Sequence, residues 1–159
     1  MVIETLTKTP TRIWLLANKV AMAFPNEVPG ILEIQWRKSR KKGTWRIVDG
    51  KIAGFRSQFS SGVTECLGVS GNTCAIARVT VTAGSDWKDA KLVFLHEMAH
   101  AMTPGHNHDK VFWDCAFRLY RWAKLPMLYC RKREMSYKKG ALFAYRRGRK
   151  AAMQKGTDD

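Results

Sequence analysis

Apolar and polar positions follow two rhythms along this chain, and the change between them divides it into segments. Residues 13–24 form an apolar stretch preceded by Thr9 and Pro10 and closed at Pro25. A Thr cap with Pro at the first turn predicts an opening helix. Residues 31–36, 44–48 and 75–82 are rich in β-branched and aromatic side chains, with Gly43, Asp49-Gly50 and Gly71-Asn72 as turn signals between them. These predict strands, and residues 75–82 (AIARVTVT) alternate as a half-buried strand does. The period then lengthens. Ser85-Asp86 supplies an N-cap and an acidic first turn, Leu92, Leu95, Ala99 and Met102 continue one apolar face, and Thr103-Pro104-Gly105 ends the helix. From 110 to 124, Phe112, Cys115, Ala116, Leu119, Trp122 and Ala123 recur at three- and four-residue spacing, which predicts a second amphipathic helix. Beyond 130, Tyr137, Ala141, Leu142, Ala144 and Tyr145 predict a short helix packed on the body, and 148–159 a frayed, disordered end. The pattern is α+β: an N-terminal helix, a small mostly antiparallel sheet and two further helices, in one domain over 1–130 with a basic tail over 131–159.

Composition agrees with a single core. At 159 residues and 45% hydrophobic content the chain can bury one, and nothing divides it into two independent domains. The 13–24 stretch is too short to cross a bilayer and contains Asn18 and Lys19, so no membrane partner and no signal peptide are expected. Cys66, Cys74, Cys115 and Cys130 form no Cys-x-x-Cys pair. Cys66 and Cys74 could face each other across a hairpin, whereas Cys115 fits as a small core residue. With no secretory signal, all four are expected to be reduced thiols in the cytoplasm.

Charge changes the picture more. The net charge is +15, concentrated in two places. Arg37, Lys38, Arg40, Lys41 and Lys42, flanked by Trp36 and Trp45, are expected at the tip and arms of a hairpin, and 131–155 carries Arg131, Lys132, Arg133, Arg146 and Arg147 among its basic residues against the single Glu134. Basic clusters beside aromatic rings suit phosphates and unpaired bases, so non-specific nucleic-acid binding is expected. The same residues also serve as ordinary solvated faces, with Trp36 and Trp45 in the core. Nothing in the sequence sets an oligomeric state.

The chemistry is concentrated at His96-Glu97-Met98-Ala99-His100. Residues four apart on a helix point to one side, so the two imidazoles form a clamp with Glu97 flanking it. Neutral imidazole is a good zinc ligand, and a carboxylate beside an open coordination position is placed to act as a general base. All four histidines fall within 96–108, which makes His106 and His108 the candidates for a third ligand. A structural zinc in a non-enzymatic nucleic-acid-binding protein is the alternative. It has no need of a base such as Glu97. Tyr120, Tyr129 and Tyr137 are candidates for stabilising an oxyanion.

The order of strand 75–82, a helix with His96-Glu97-x-x-His100, a Gly/Pro turn and His108-Asp109-x-x-Phe112 opening another helix resembles the SprT-like zinc metallopeptidases. The resemblance covers roughly 75–124. It implies a zincin-like fold, one zinc per chain held by His96, His100 and His108, Glu97 as base and Phe112 as a core anchor. It also implies a protein or peptide substrate associated with nucleic acid. Two departures stand: Asp109 occupies a position commonly Gly in that family, and the Cys pairs of the zinc ribbon carried by many members are missing. A metzincin-like template would instead take His106 as third ligand and Met135-Ser136-Tyr137 as its Met-turn, but it wants Gly where this chain has Thr103.

Overall fold

The protein is described by a computed structural model that covers residues 1–38, 44–48, 51–56, 61–70, 73–83 and 86–155. Strand β1 (Val2–Thr5) leads into helix α1 (Thr11–Ala23) and strand β2 (Ile31–Lys38). Strands β3 (Thr44–Val48) and β4 (Lys51–Arg56) pair with each other as an antiparallel ribbon. They are followed by β5 (Ser61–Cys66), β6 (Val69–Ser70), β7 (Thr73–Cys74) and β8 (Ile76–Ala83). Helices α2 (Trp87–Met102), α3 (Lys110–Trp122) and α4 (Met127–Lys155) complete the chain.

The main sheet has the order β1-β2-β8-β5. The β1–β2 and β2–β8 pairings are parallel and only β5–β8 is antiparallel, so the sheet is mixed and not mostly antiparallel as predicted. The reason is connectivity. Helix α1 carries the chain back across the sheet, so β2 starts at the same end as β1, and side-chain alternation carries no information on strand direction. Strand β8 is also interior. The sheet edge on that side is β5, which the sequence reading did not predict.

Alternation places Leu32, Ile34, Ala77, Val79 and Val81 on the buried face. The opposite face pairs Arg78 with Glu33 at 2.6 Å and Thr80 with Gln35 at 3.1 Å. Helix α2 lies against the buried face, in contact with β5 and β8 on one side and α3 on the other. That position explains why residues 92–99 are all buried. Both caps on these helices are aspartates: Asp86 accepts from Lys88 N at 2.9 Å and Asp109 from Phe112 N at 3.0 Å. At α1 the expected Thr9 cap is not formed. Pro10 holds the N-cap position, with no side-chain cap.

The C-terminal segment differs most from expectation. A single helix runs from Met127 to Lys155, so the boundary drawn at residue 130 falls inside α4, and the stretch expected to fray from 148 is helical to 155. Leu142 and Tyr145 belong to the core, and the Tyr145 ring stacks on Phe117. Among the described residues no helix is long and apolar enough to cross a membrane.

Cys66 and Cys74 are joined by a disulfide with a Cα–Cα separation of 5.6 Å, contrary to the expectation of four reduced thiols. Pairing of β5 with β8 and of β6 with β7 brings the two positions together. Cys115 and Cys130 are free and buried.

Candidate metal centre

The clamp on α2 folds as its spacing dictates. His96 and His100, one turn apart, put their ring centroids 5.1 Å from each other. A third imidazole comes back from the loop between α2 and α3. Gly105 and His108 both hold left-handed backbone conformations, with φ of 83° and 58°, and these reverse the chain. For a residue with a side chain such a conformation costs roughly 1–2 kcal/mol, so it persists where the surroundings enforce it. Here Asp109 immediately caps α3, and Phe112 in the first turn of that helix is wedged against the rings, stacking on His100 at 4.2 Å.

The outcome is a group of three imidazoles, His96, His100 and His108, whose ligand atoms all lie within 4.8 Å of one another. His96 Nε2 and His108 Nε2 are 3.1 Å apart. The far side of two rings is occupied by acceptors. His96 Nδ1 lies 2.9 Å from Glu134 Oε1, and His108 Nδ1 lies 2.6 Å from Asn107 Oδ1. Nδ1–H donation to those oxygens leaves each Nε2 lone pair facing the group. Such a set of imidazole nitrogens can hold a divalent transition metal ion.

His106 is the histidine left outside that group. Its Nδ1 is 2.6 Å from Asp109 Oδ2, and the ring lines the rim of the cleft. Asp109 therefore caps α3 with one oxygen and orients His106 with the other. Met135 and its neighbours form no turn, since they lie within α4.

Glu97 sits beside the imidazoles, 5% exposed. Thr64 Oγ1 is 2.8 Å from its Oε2 and 2.9 Å from its backbone oxygen. Strand β5 closes over the carboxylate at Gly62, where an added Cβ would stand 2.6 Å from Glu97 Oε1. Burial raises the Glu97 pKa above the ordinary carboxylate range, opposed by His96 and by the Thr64 hydrogen bond. A cleft bordered by β5 and the 103–108 loop opens onto His96, Glu97, His100 and His108.

Glu134, at 2% exposure, accepts through one oxygen from both His96 and the Tyr120 hydroxyl. Tyr120 is fully buried, and burial with the nearby Glu134 charge holds its phenol well above the usual value, so it remains a neutral donor. Sequence reasoning missed Gly62, Thr64, Asn107 and Glu134. The only signal for Glu134 was its standing as the lone acid in a run of basic residues.

Other predicted residues are placed differently. Tyr120 lies behind His96 and not in the cleft, and Tyr129 donates to Asp89 Oδ1 at 3.1 Å, so neither faces the cleft as an oxyanion donor. The side chain of Tyr137 lies outside the described residues. Strand β8 does not reach the site as an edge strand, because β5 covers it on that side. Of the basic candidates, Arg37, Arg131, Lys132, Arg146 and Arg147 are exposed. Arg133 instead pairs with Asp89 at 2.5 Å, with 15% of its side chain exposed, which ties α4 to α2. Lys38 ends β2, while Arg40, Lys41 and Lys42 lie outside the described residues; the hairpin expected around them is not formed by the described strands, since β2 pairs with β1 and β8 and β3 with β4. Trp36 is partly buried against the core.

Comparison of the chain with protein-family models, with curated proteins and with solved structures returns no match.

Proposed function

We propose that this protein is a zinc-dependent metallopeptidase that hydrolyses peptide bonds in proteins associated with nucleic acid. The observation that carries the reading is Glu97: a buried carboxylate, held by Thr64 and given room by Gly62, beside three converging imidazoles. A centre that only stabilised the fold would have no use for such a group.

Zinc suits the donor set. His96, His100 and His108, with ligand atoms within 4.8 Å of one another, would hold it through neutral imidazole nitrogens. A bound zinc ion would lower the pKa of water in its open position to about 7 and polarise a substrate carbonyl. The chain's own residues supply the rest. Glu97 takes a proton on the cleft side and returns it to the departing amine. Thr64 and Gly62 hold the carboxylate in place for both transfers. The β5 edge borders the cleft and offers its backbone to an extended peptide. The exposed cations of α4, with Arg37 on β2, favour a substrate bound to a polyanion.

The test is proteolysis of a basic, unfolded protein by the full chain, with and without chelator and with and without DNA over a salt series. Cleavage that stops with chelator, returns with zinc, and rises with DNA at low salt supports the reading. Cleavage indifferent to chelator removes it.

A further inference from the structure

A carboxylate buried at 2% exposure needs a partner, and Glu134 has an unusual one. Among the described residues no Lys or Arg lies within ion-pair distance of it; its contacts are His96 Nδ1 at 2.9 Å and the Tyr120 hydroxyl. Removing an ionised carboxylate from water is unfavourable unless opposite charge and hydrogen bonds compensate. A position that only filled space against α2 and α3 would be served by an apolar side chain. The group that Glu134 touches is instead the ring that offers its other nitrogen to the metal group.

We infer that Glu134 is the positioning residue of the metal centre, with Tyr120 fixing it: it holds the His96 ring in one orientation and tautomer and, through that ring, senses the charge of the bound ion. The inference rests on the metal-centre part of the function proposed above and not on hydrolysis. Geometry carries it. One oxygen, Oε1, receives both the His96 N–H and the Tyr120 O–H, so its direction is fixed from two sides. With Nδ1–H committed to Glu134, Nε2 is left as the lone-pair donor toward His100 and His108. Tyr120 comes from α3 and Glu134 from α4, which makes the C-terminal helix a structural part of the site and not an appendage beyond it. The Arg133–Asp89 ion pair, one residue away, ties that turn of α4 to α2.

The experiment measures zinc affinity of the full chain by competition with a chromophoric chelator, beside urea unfolding of the metal-free protein. Glu134→Ala is expected to weaken zinc binding about 10–100-fold, the usual effect of losing such a partner. Glu134→Gln keeps an acceptor oxygen without the charge and is expected to fall between it and the parent. Should Glu134→Ala fail to fold, the near-isosteric Glu134→Gln and Tyr120→Phe carry the test. Leu142→Ala, which removes core packing from the same helix but leaves Glu134 in place, is expected to unfold at lower urea while keeping zinc affinity close to that of the parent. Unaltered zinc affinity in Glu134→Gln with a destabilised metal-free chain would make Glu134 a structural residue and overturn the inference. So would a loss of zinc affinity in Leu142→Ala as large as that in Glu134→Gln. A parent chain that binds zinc but cleaves nothing leaves the inference standing and removes the peptidase reading.

Discussion

Glu97 depends on two residues more than 30 positions away, and that dependence can be tested at Gly62. A methyl group there would stand 2.6 Å from Glu97 Oε1, so Gly62→Ala must push the carboxylate aside while leaving the three imidazoles in place. Misplacement of a reacting group by about 1 Å can cost about 10²-fold in rate. Gly62→Ala is therefore expected to retain zinc and lose roughly that much kcat, read by metal analysis and turnover together. The histidines separate just as sharply. His108→Ala is expected to lose zinc, because its ring is one of the three that converge. His106→Ala is expected to keep it, because that ring is committed to Asp109. A zinc titration showing the reverse order would transfer the third-ligand role to His106. At this scale His96, Glu97 and His100 were legible because their relation is set by one turn of helix. Gly62, Thr64 and Glu134 were not, since only tertiary pairing brings them to the site.

Helices were easier to read than strands for the same reason. The α2 and α3 segments announce themselves through apolar periodicity, Asp86 and Asp109 at their starts and a Pro-Gly break between them. Strand β5, SGVTEC, has no apolar alternation. Its inward positions are Gly62 and Thr64, small because Glu97 fills the space between strand and helix. Parallel order among β1, β2 and β8 is a non-local property that no window of sequence contains. The cysteines give a test of the elements so packed. Burial raises the Cys115 thiol and, with the Glu134 charge behind it, pushes Cys130 up to about 11. Both lie on buried helix faces. A raised thiol pKa keeps the unreactive protonated form through neutral pH, and thiolate appears only as pH climbs toward the raised value. Native protein is thus expected to resist thiol reagents at pH ~8. Denatured, unreduced protein should expose Cys115 and Cys130, and reduction should add Cys66 and Cys74. Labelling of all four without reductant would contradict the disulfide.

At the scale of the whole molecule, the C-terminal helix joins two features that the sequence presented as separate. Its exposed side carries Arg131, Lys132, Arg146 and Arg147, which made it look like a tether. Its other side buries Leu142 at 0% exposure, stacks Tyr145 on Phe117 and delivers Glu134 to His96. A helix packed through Leu142 and Tyr145 was legible from its apolar positions; its start at Met127, its run to Lys155 and the burial of Glu134 were not, because basic residues surround those stretches. Losing a buried leucine side chain typically costs about 2–5 kcal/mol. A chain ending at residue 130 loses that contact along with the Glu134 hydrogen bond, so it is expected to unfold at lower urea and to bind zinc more weakly than the full chain. A truncated chain with unchanged zinc affinity would return the segment to the status of a tail. The central claim is that the three imidazoles hold a catalytic zinc served by Glu97, and Glu97→Gln tests it most directly when metal content and peptide hydrolysis are measured on the same sample. The expected result is about one zinc per chain with a rate lower by roughly 10²-fold or more. Undiminished hydrolysis would remove Glu97 from the chemistry, and loss of the zinc would make it a ligand; either result contradicts the account.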